Sequence, residues 1–427
     1  MADPGRIARR LEQLWALARG PEGGADRPAY SNAEADAMLL VAGWAREQQL
    51  APAVDEHGNL WALPADWDGQ LITAGSHVDT VPDGGRYDGA LGTVLGLELA
   101  RDLEAGAGGP DPRSGARAGV LVCAAEEAPR FEAGTIGSRL LAGTLTHAEL
   151  ERMRDAAGMT AADALSAHLA ALAELPRIDP PLGRWLAHAE VHVAPRRELR
   201  TLGVVSAVAS PRRFAVELRG VAGHCGEVPM EDRRDALAAA AELVLAVEAA
   251  ARSQPPETVA TVGTISVSPG ALSVIPARAR LGIDARAISS GSLAELEAEI
   301  RAAAAAIAER RGVRADVELV RGGEPVAMDR RLVQAALSAA SRLGIAARET
   351  WSGSGHDAQH LASLTRALLV FVPLHGGECH TPQEGADLGE ALQACAVVAE
   401  VLRGLALAEP PAGARHDRDG CPGGAGL

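Results

Sequence analysis

The sequence contains no lysine; all 41 of its basic residues are arginine. That absence excludes Schiff-base lysine chemistry and the lysine of phosphate-binding loops. Long hydrophobic runs are missing too. The most apolar stretches, such as "ALAAAAELVLAVEAAA", carry glutamates, so no membrane span is expected. The start, "MADPGRIARRLEQLWALARG", has helical periodicity instead of a charged segment, an apolar block and a cleavage site. No secretory signal is expected. Cysteine is scarce: five residues, an odd number, without CxxC spacing. This predicts a reduced, cytoplasmic setting with neither a disulfide framework nor a zinc ribbon. Positive charge is in deficit, with a formal net charge of −15, which argues against a nucleic-acid partner.

What is present is enough for two cores. A chain of 427 residues exceeds one ordinary domain, and its apolar fraction of 47% suits a globular protein. Residues 5 to 20 and 31 to 48 read as amphipathic helices. "LWALPA" and "QLITAGS" read as strands, "DGALGTVLGLELARDLEA" as a helix and "AGVLVCAAEE" as a buried strand. Strand, helix, strand at this spacing predicts a βαβ unit in a mostly parallel sheet.

The pattern changes after about residue 207. A strand, a long helix, two strands, a helix and a final strand follow, an order that predicts a ferredoxin-like module over residues 208–322. Its strand from Ala277 alternates: Ala279, Leu281, Ile283 and Ala285 share one face, and Arg278, Arg280, Asp284 and Arg286 the other. A sheet covered by helices on one side only is expected there. The first domain, 1–207, resumes over 323–408, and the Pro- and Gly-rich tail 409–427 is expected to be disordered.

The chemistry concentrates in "GSHVDTVPDGGRYDGALG", residues 75–92. Turn-forming residues alone would explain "PDGG". However, His77 and Asp79 follow one apolar strand, and Glu126 and Glu127 end the next. Ligands of parallel sheets bind at those carboxyl ends. Further His and carboxylates, His192, His356, Asp357 and His380, also fall at strand ends or turns. Zinc takes His nitrogens and carboxylate oxygens, and a pair of ions ~3.5–4 Å apart needs a bridging carboxylate, further ligands and a base. Singly, each residue reads as packing, turn or solvated surface; the joint occurrence carries the expectation.

These blocks, with "EEAPRFEAGTIGSRLLAG", "GHCGEVPMEDRRDAL", "SGSGHDAQHLA" and "GECHTPQE", resemble the dinuclear-zinc amidohydrolases. That family includes N-carbamoyl-L-amino-acid hydrolases, β-ureidopropionases and allantoate amidohydrolases, relatives of the aminoacylase and carboxypeptidase clan. The resemblance runs over about residues 5–408. It implies an α/β fold, with a mostly parallel-sheet metallohydrolase domain and an inserted ferredoxin-like dimerisation or lid domain. It implies two divalent ions, zinc with manganese or cobalt as alternatives. His77 and His192 would bind one, Glu127 and His380 the other, and Asp88 both. Asp79 would orient His77, and Glu126 would be the general base for a water that the metals activate. His224 would stabilise the tetrahedral intermediate in a partner subunit's site, which implies a homodimer. Arg286 would pair with the carboxylate of a small-molecule substrate, and His356 would support the site. The reaction implied is hydrolysis of a linear amide or ureido C–N bond.

The sequence departs from the family pattern around the substrate. "VAPRRE" follows His192, so Ala194 and Pro195 replace Glu and Gln, and Ser273 replaces an Asn before "VIP". Such changes alter substrate more than reaction. An N-acyl amino acid deacylase or dipeptidase of the same clan, a mononuclear site and a catalytically silent binding protein stand as alternatives. Cys379 precedes His380 where the family commonly has Ser; on an extended segment its side chain would point away from the metal.

Overall fold

The computed structural model describes residues 2–65, 67, 69–105, 116–195, 198–376 and 378–407. The expected disorder of 409–427 lies outside them. Among the described residues no helix is long and apolar enough to cross a membrane.

The chain begins with a helix over Pro4–Leu17, capped by Asp3, whose side chain accepts from the Arg6 amide. A second helix, Asn32–Glu47, is capped in the same way by Ser31 and Glu34. The second packs on the edge of a large sheet, and the first lies against the second and against the helix Ala90–Ala105. The strand order of the sheet is Leu50–Val54, Leu60–Pro64, Ala116–Val122, Gln70–Ala74, Trp185–Val193, Arg366–Val372 and Leu202–Val208. The four strands from Ala116–Val122 to Arg366–Val372 run parallel; the pairs that flank them are antiparallel, except that Ala347–Ser352 joins Leu202–Val208 in parallel. "RALLVFV" lies between Trp185–Val193 and Leu202–Val208 with six of its seven residues buried, which suits a strand covered on both faces. The helix Ala90–Ala105 crosses between Gln70–Ala74 and Ala116–Val122, completing the βαβ unit read from the sequence.

After Val208 the chain leaves this sheet, and it rejoins it at Val326, which pairs with Val208. Between them lies a second, four-stranded antiparallel sheet, in the order Arg314–Arg321, Ser210–Arg219, Arg278–Ala287, Val259–Ser268. The helices Ala236–Ser253 and Ser290–Arg311 pack on one face. Phe214, Val216, Leu281 and Ile283 meet Leu243, Val247, Leu296 and Ile300 in a core of their own. Asp235 and Ser289 cap the two helices, and Gly312 closes the second in a left-handed conformation, φ 64°. The alternation read from the sequence holds: Ala279, Leu281, Ile283 and Ala285 are buried, and Arg278 and Arg280 face solvent.

Candidate metal centre

The carboxyl ends of the parallel strands carry the polar cluster. His77 lies three residues beyond Gln70–Ala74, and Glu126 and Glu127 follow Ala116–Val122. His192 is on Trp185–Val193. His380 lies between Leu374–Gly376 and Glu384–Ala386, a hairpin that follows Arg366–Val372.

All of these side chains converge on Asp88. Its Oδ1 is 3.0 Å from His192 Nε2 and 3.6 Å from His77 Nε2, and its Oδ2 is 3.1 Å from His380 Nε2. His380 Nε2 is in turn 3.6 Å from Glu127 Oε1, and His77 Nε2 is 3.9 Å from Glu126 Oε2. His77, Asp88 and His192 are buried, whereas His380 is half-exposed. Gly89 makes the convergence possible. Its φ is +60°, and a Cβ there would lie 2.4 Å from the His77 ring.

The ring orientations bear on a metal. His77 Nδ1 faces the Asp79 carbonyl at 3.1 Å, and His192 Nδ1 faces the Val193 carbonyl at 2.9 Å. Carbonyls only accept, so each Nδ1 carries the hydrogen and each Nε2 is turned to the centre as a donor of electrons. Those two Nε2 atoms are 3.4 Å apart. Lone pairs facing each other at that distance call for a cation between them. Glu127 Oε1 is buried and has no hydrogen-bond partner.

The electrostatics make the same demand. Asp79, Asp88, Glu126 and Glu127 crowd around three imidazoles. Burial alone would raise Asp88, but when their Nε2 atoms carry protons in place of a metal, His192 and His380 donate to it and hold it well below the usual carboxylate range. Burial pushes Glu126 well above that range, with His77 opposing. Burial and then Asp88 push Glu127 up to about 7. The Asp88 hydrogen bond lifts His380 to about 9 against the pull of burial. Excess carboxylate drawing protons onto imidazoles is the signature of a site built for added positive charge. Ligand atoms of His77, Asp88 and His192 lie within 4.8 Å of one another, as do those of Asp88, Cys379 and His380. Both the donor set and its spacing fit divalent cations.

Residues 73–404 match the model of the peptidase family M20/M25/M40. The chain belongs to this family. An N-carbamoyl-L-amino acid amidohydrolase of Geobacillus stearothermophilus is 33% identical over 404 residues, 93% of this chain and 96% of its own length. An allantoate amidohydrolase of Bacillus subtilis is 30% identical over 380 residues, covering 88% of this chain and 91% of its own. The crystal structure of a hydantoinase/carbamoylase family amidase from Burkholderia multivorans superposes with a TM-score of 0.83 at 30% identity, covering 96% of this chain and 99% of that one. Within the M20/M25/M40 family the chain therefore sits with the amidohydrolases, as its motifs imply.

The remaining site residues of this M20 chain divide by location. Asp79 is fully buried. Its Oδ1 is 3.3 Å from His77 Nδ1, and its two oxygens also accept the amide hydrogens of Glu126 and Glu127, at 3.1 and 2.9 Å. One carboxylate thus ties the metal loop to the glutamate loop. His356 is buried, with Nε2 3.0 Å from Ser352 Oγ and its ring centroid 4.7 Å from that of His192. Pro195 is half-buried and follows buried Ala194, so neither offers a side-chain polar atom.

The segment between the two passages of the large sheet carries the others, Arg286 on the four-stranded sheet and His224 on a separate two-stranded ribbon, Gly223–His224 with Val274–Ile275. Arg286 donates to Asp284 through Nε at 2.7 Å and to the Gly353 carbonyl through Nη1 at 2.8 Å. His224 and Ser273 are exposed. His224 pairs in register with Val274, and its Nδ1 accepts from the Gly226 amide. None of these bonds takes His224 to the cluster of its own chain.

Two residues escaped the sequence reading, and a third was misplaced by it. Glu190 is buried, accepting from Ser76 Oγ at 2.8 Å and from the Ala358 amide at 2.8 Å. The alternation of "HAEVHV" puts it on the same strand face as His192, a signal that was present. Glu384 accepts the amides of Tyr87 and Asp88, at 2.8 and 3.1 Å. It fits because Gly85 has no Cβ, which would lie 2.0 Å from its Oε2. Cys379 is a correction. Its Sγ is 3.4 Å from Asp88 Oδ2, directed to the centre and not away from it. The segment is not extended there, since His380 has φ 63°.

Proposed function

We propose that this chain hydrolyses a linear amide or ureido C–N bond next to a carboxylate, with N-carbamoyl amino acids and related ureido acids as the substrate class. The observation that carries the reading is Asp88, whose two oxygens are reached by His192 and His77 on one side and by His380 on the other. Two divalent cations fit this arrangement. His77 and His192 would hold one, Glu127 and His380 the other, and Asp88 both. Zinc suits the donors best, and manganese and cobalt suit them too. When bound, the cations polarise the scissile carbonyl and make water acidic enough to attack at neutral pH.

The protein's own groups do the rest. Glu126 takes a proton from the attacking water and passes it to the leaving nitrogen as the C–N bond breaks. Its burial supports this role, because a carboxylate kept from solvent is a stronger base. Asp79 fixes the His77 ring and the two glutamate amides together, so base and ligand keep one geometry. Arg286 offers a planar fork to the substrate carboxylate. His224 is exposed on its two-stranded ribbon in the inserted segment, and we assign it to the site of a partner copy. Residues 208–322 would then form the dimerisation unit, and 1–207 with 323–408 the catalytic one. Exposed Val259 and Ile265 on the edge strand Val259–Ser268, beside exposed Leu245, support pairing there.

The test is ammonia release from a panel of N-carbamoyl amino acids, ureido acids and allantoate, with free-amine detection for N-acyl amino acids. The N-acyl arm is included because Ala194 and Pro195 remove polar side chains beside His192. Metal-dependent turnover that disappears in Glu126→Gln is expected. A chain that binds no metal and turns over none of the panel sinks the reading.

A further inference from the structure

His380 takes a left-handed backbone conformation, φ 63°, and this brings two consecutive side chains onto one atom. Cys379 Sγ and His380 Nε2 lie 3.4 and 3.1 Å from the same Asp88 Oδ2. His380 Nε2 is also 3.6 Å from Glu127 Oε1. Glu127 is 6% exposed, and that oxygen has no hydrogen-bond partner. These separations match the edges of a coordination shell. Zinc–sulfur bonds of about 2.3 Å and zinc–oxygen or zinc–nitrogen bonds of about 2.0–2.1 Å, at tetrahedral angles, place neighbouring donors about 3.3–3.5 Å apart.

We propose that Cys379 is a thiolate ligand of the cation held by Glu127, His380 and Asp88. The proposal rests on the two-cation reading above. As the sulfur–metal bond forms, the thiol proton leaves to solvent. Without a cation the thiol stays protonated, because burial and the neighbouring Asp88 and Glu384 disfavour a further negative charge. The same carboxylates that resist a bare thiolate attract the dication, and a dication next to sulfur reverses the balance. One half of the centre becomes a mixed sulfur, nitrogen and oxygen site, biased towards zinc and softer cations. The half formed by His77 and His192 keeps nitrogen and oxygen donors only. The competing role is a thiol that donates a hydrogen bond to Asp88 and never ligates.

The test uses the full-length chain loaded with cobalt(II), with cobalt counted per chain and the near-ultraviolet thiolate-to-cobalt absorption recorded. With about two cobalt ions bound, the wild type shows the band, Cys379→Ser loses it, and Cys225→Ser, altered at the exposed cysteine, retains it. Cadmium affinity falls at least about tenfold in Cys379→Ser and manganese affinity less than about threefold, since only the soft cation feels the lost sulfur. Two bound cobalt ions without the band, or a band that survives in Cys379→Ser, overturn the proposal and leave the hydrolase reading standing. A chain that binds no cobalt overturns both.

Discussion

The two sheets hold their polar residues in opposite ways. On the large sheet the side chains proposed as ligands, His77, Asp88, His192 and Glu127, are buried, and the Nδ1 atoms of His77 and His192 are already engaged by carbonyls. On the small sheet Arg286 leans on Asp284 of its own strand, and in the same inserted segment His224 and Ser273 are exposed on and beside a two-stranded ribbon. Metal binding needs fixed donors at fixed spacing, and burial with outer hydrogen bonds supplies that. Substrate recognition needs groups that stay open until a ligand arrives. The proposed centre is thus built mostly from buried groups at one sheet's strand ends, closed by half-exposed His380 from a hairpin, while the proposed recognition groups lie in the inserted segment.

That contrast gives the largest expected effects first. Asp88→Ala removes the one residue common to both halves of the centre. Metal content by mass spectrometry should fall to a small fraction of the wild-type value, and activity should vanish with it. A variant that keeps two metals would break the picture of a pre-organised centre. Glu126→Gln should lower kcat by about 10²–10⁴-fold, the range of general acid–base catalysis, with metal content unchanged. If metal is lost as well, Glu126 belongs with the ligands and not with the proton transfer.

The large-sheet half of this contrast was far more legible in sequence. His77 and Asp88 are eleven residues apart and flank one strand–helix turn, so local reading finds them. Glu126 and Glu127 end an apolar run and are equally visible. His192 and His380 are distant in sequence, and only family resemblance tied them to Asp88. The strand Trp185–Val193 was not predicted, because His188, Glu190 and His192 interrupt its apolar signature while being buried and bonded in the fold. Glu384 was unreadable for another reason. Its partners are the amides of Tyr87 and Asp88, nearly 300 residues away, and no local pattern encodes such a contact. Cys379 was misplaced because neighbour-divergence assumes an extended chain, and the fold imposes a left-handed residue there.

In the inserted segment the effects are smaller and divide by role. His224→Ala should lower kcat by about 10²–10³-fold, as loss of an oxyanion donor does. Mixing it in equal parts with Glu126→Gln sharpens the point. If His224 serves the other subunit of a two-fold dimer, half the dimers are mixed and each carries one intact site, so about a quarter of wild-type activity returns. No recovery in a mixture shown to exchange subunits would return His224 to its own chain's site. Arg286→Lys keeps the charge and loses the fork. KM should rise about 10–100-fold, the worth of a charged hydrogen bond or two, with kcat nearly unchanged.

The two sheets also differ in how acid reaches them. In the span from Val208 to Val326, His224 is the sole histidine and it is exposed, whereas His188 is buried in the large sheet. Burial pushes the His188 imidazole down to about 3 from 6.5. Its Nδ1 meets Thr73 Oγ at 2.9 Å, and its Nε2 has no partner. Protonation is therefore harder in the folded chain than in the unfolded one. The stability tied to the neutral ring is full above pH 6.5 and is lost as the pH falls towards 3. At pH 5 the loss amounts to about 2 kcal/mol. Urea unfolding at pH 7.5 and pH 5, compared between wild type and His188→Leu, isolates this contribution, because the variant has no ring to protonate. The variant starts from lower stability, having lost the Thr73 contact, but its unfolding midpoint should move less between the two pH values. Equal shifts in both proteins would place the acid sensitivity in other groups, with the coupled carboxylates and histidines around Asp88 next in line.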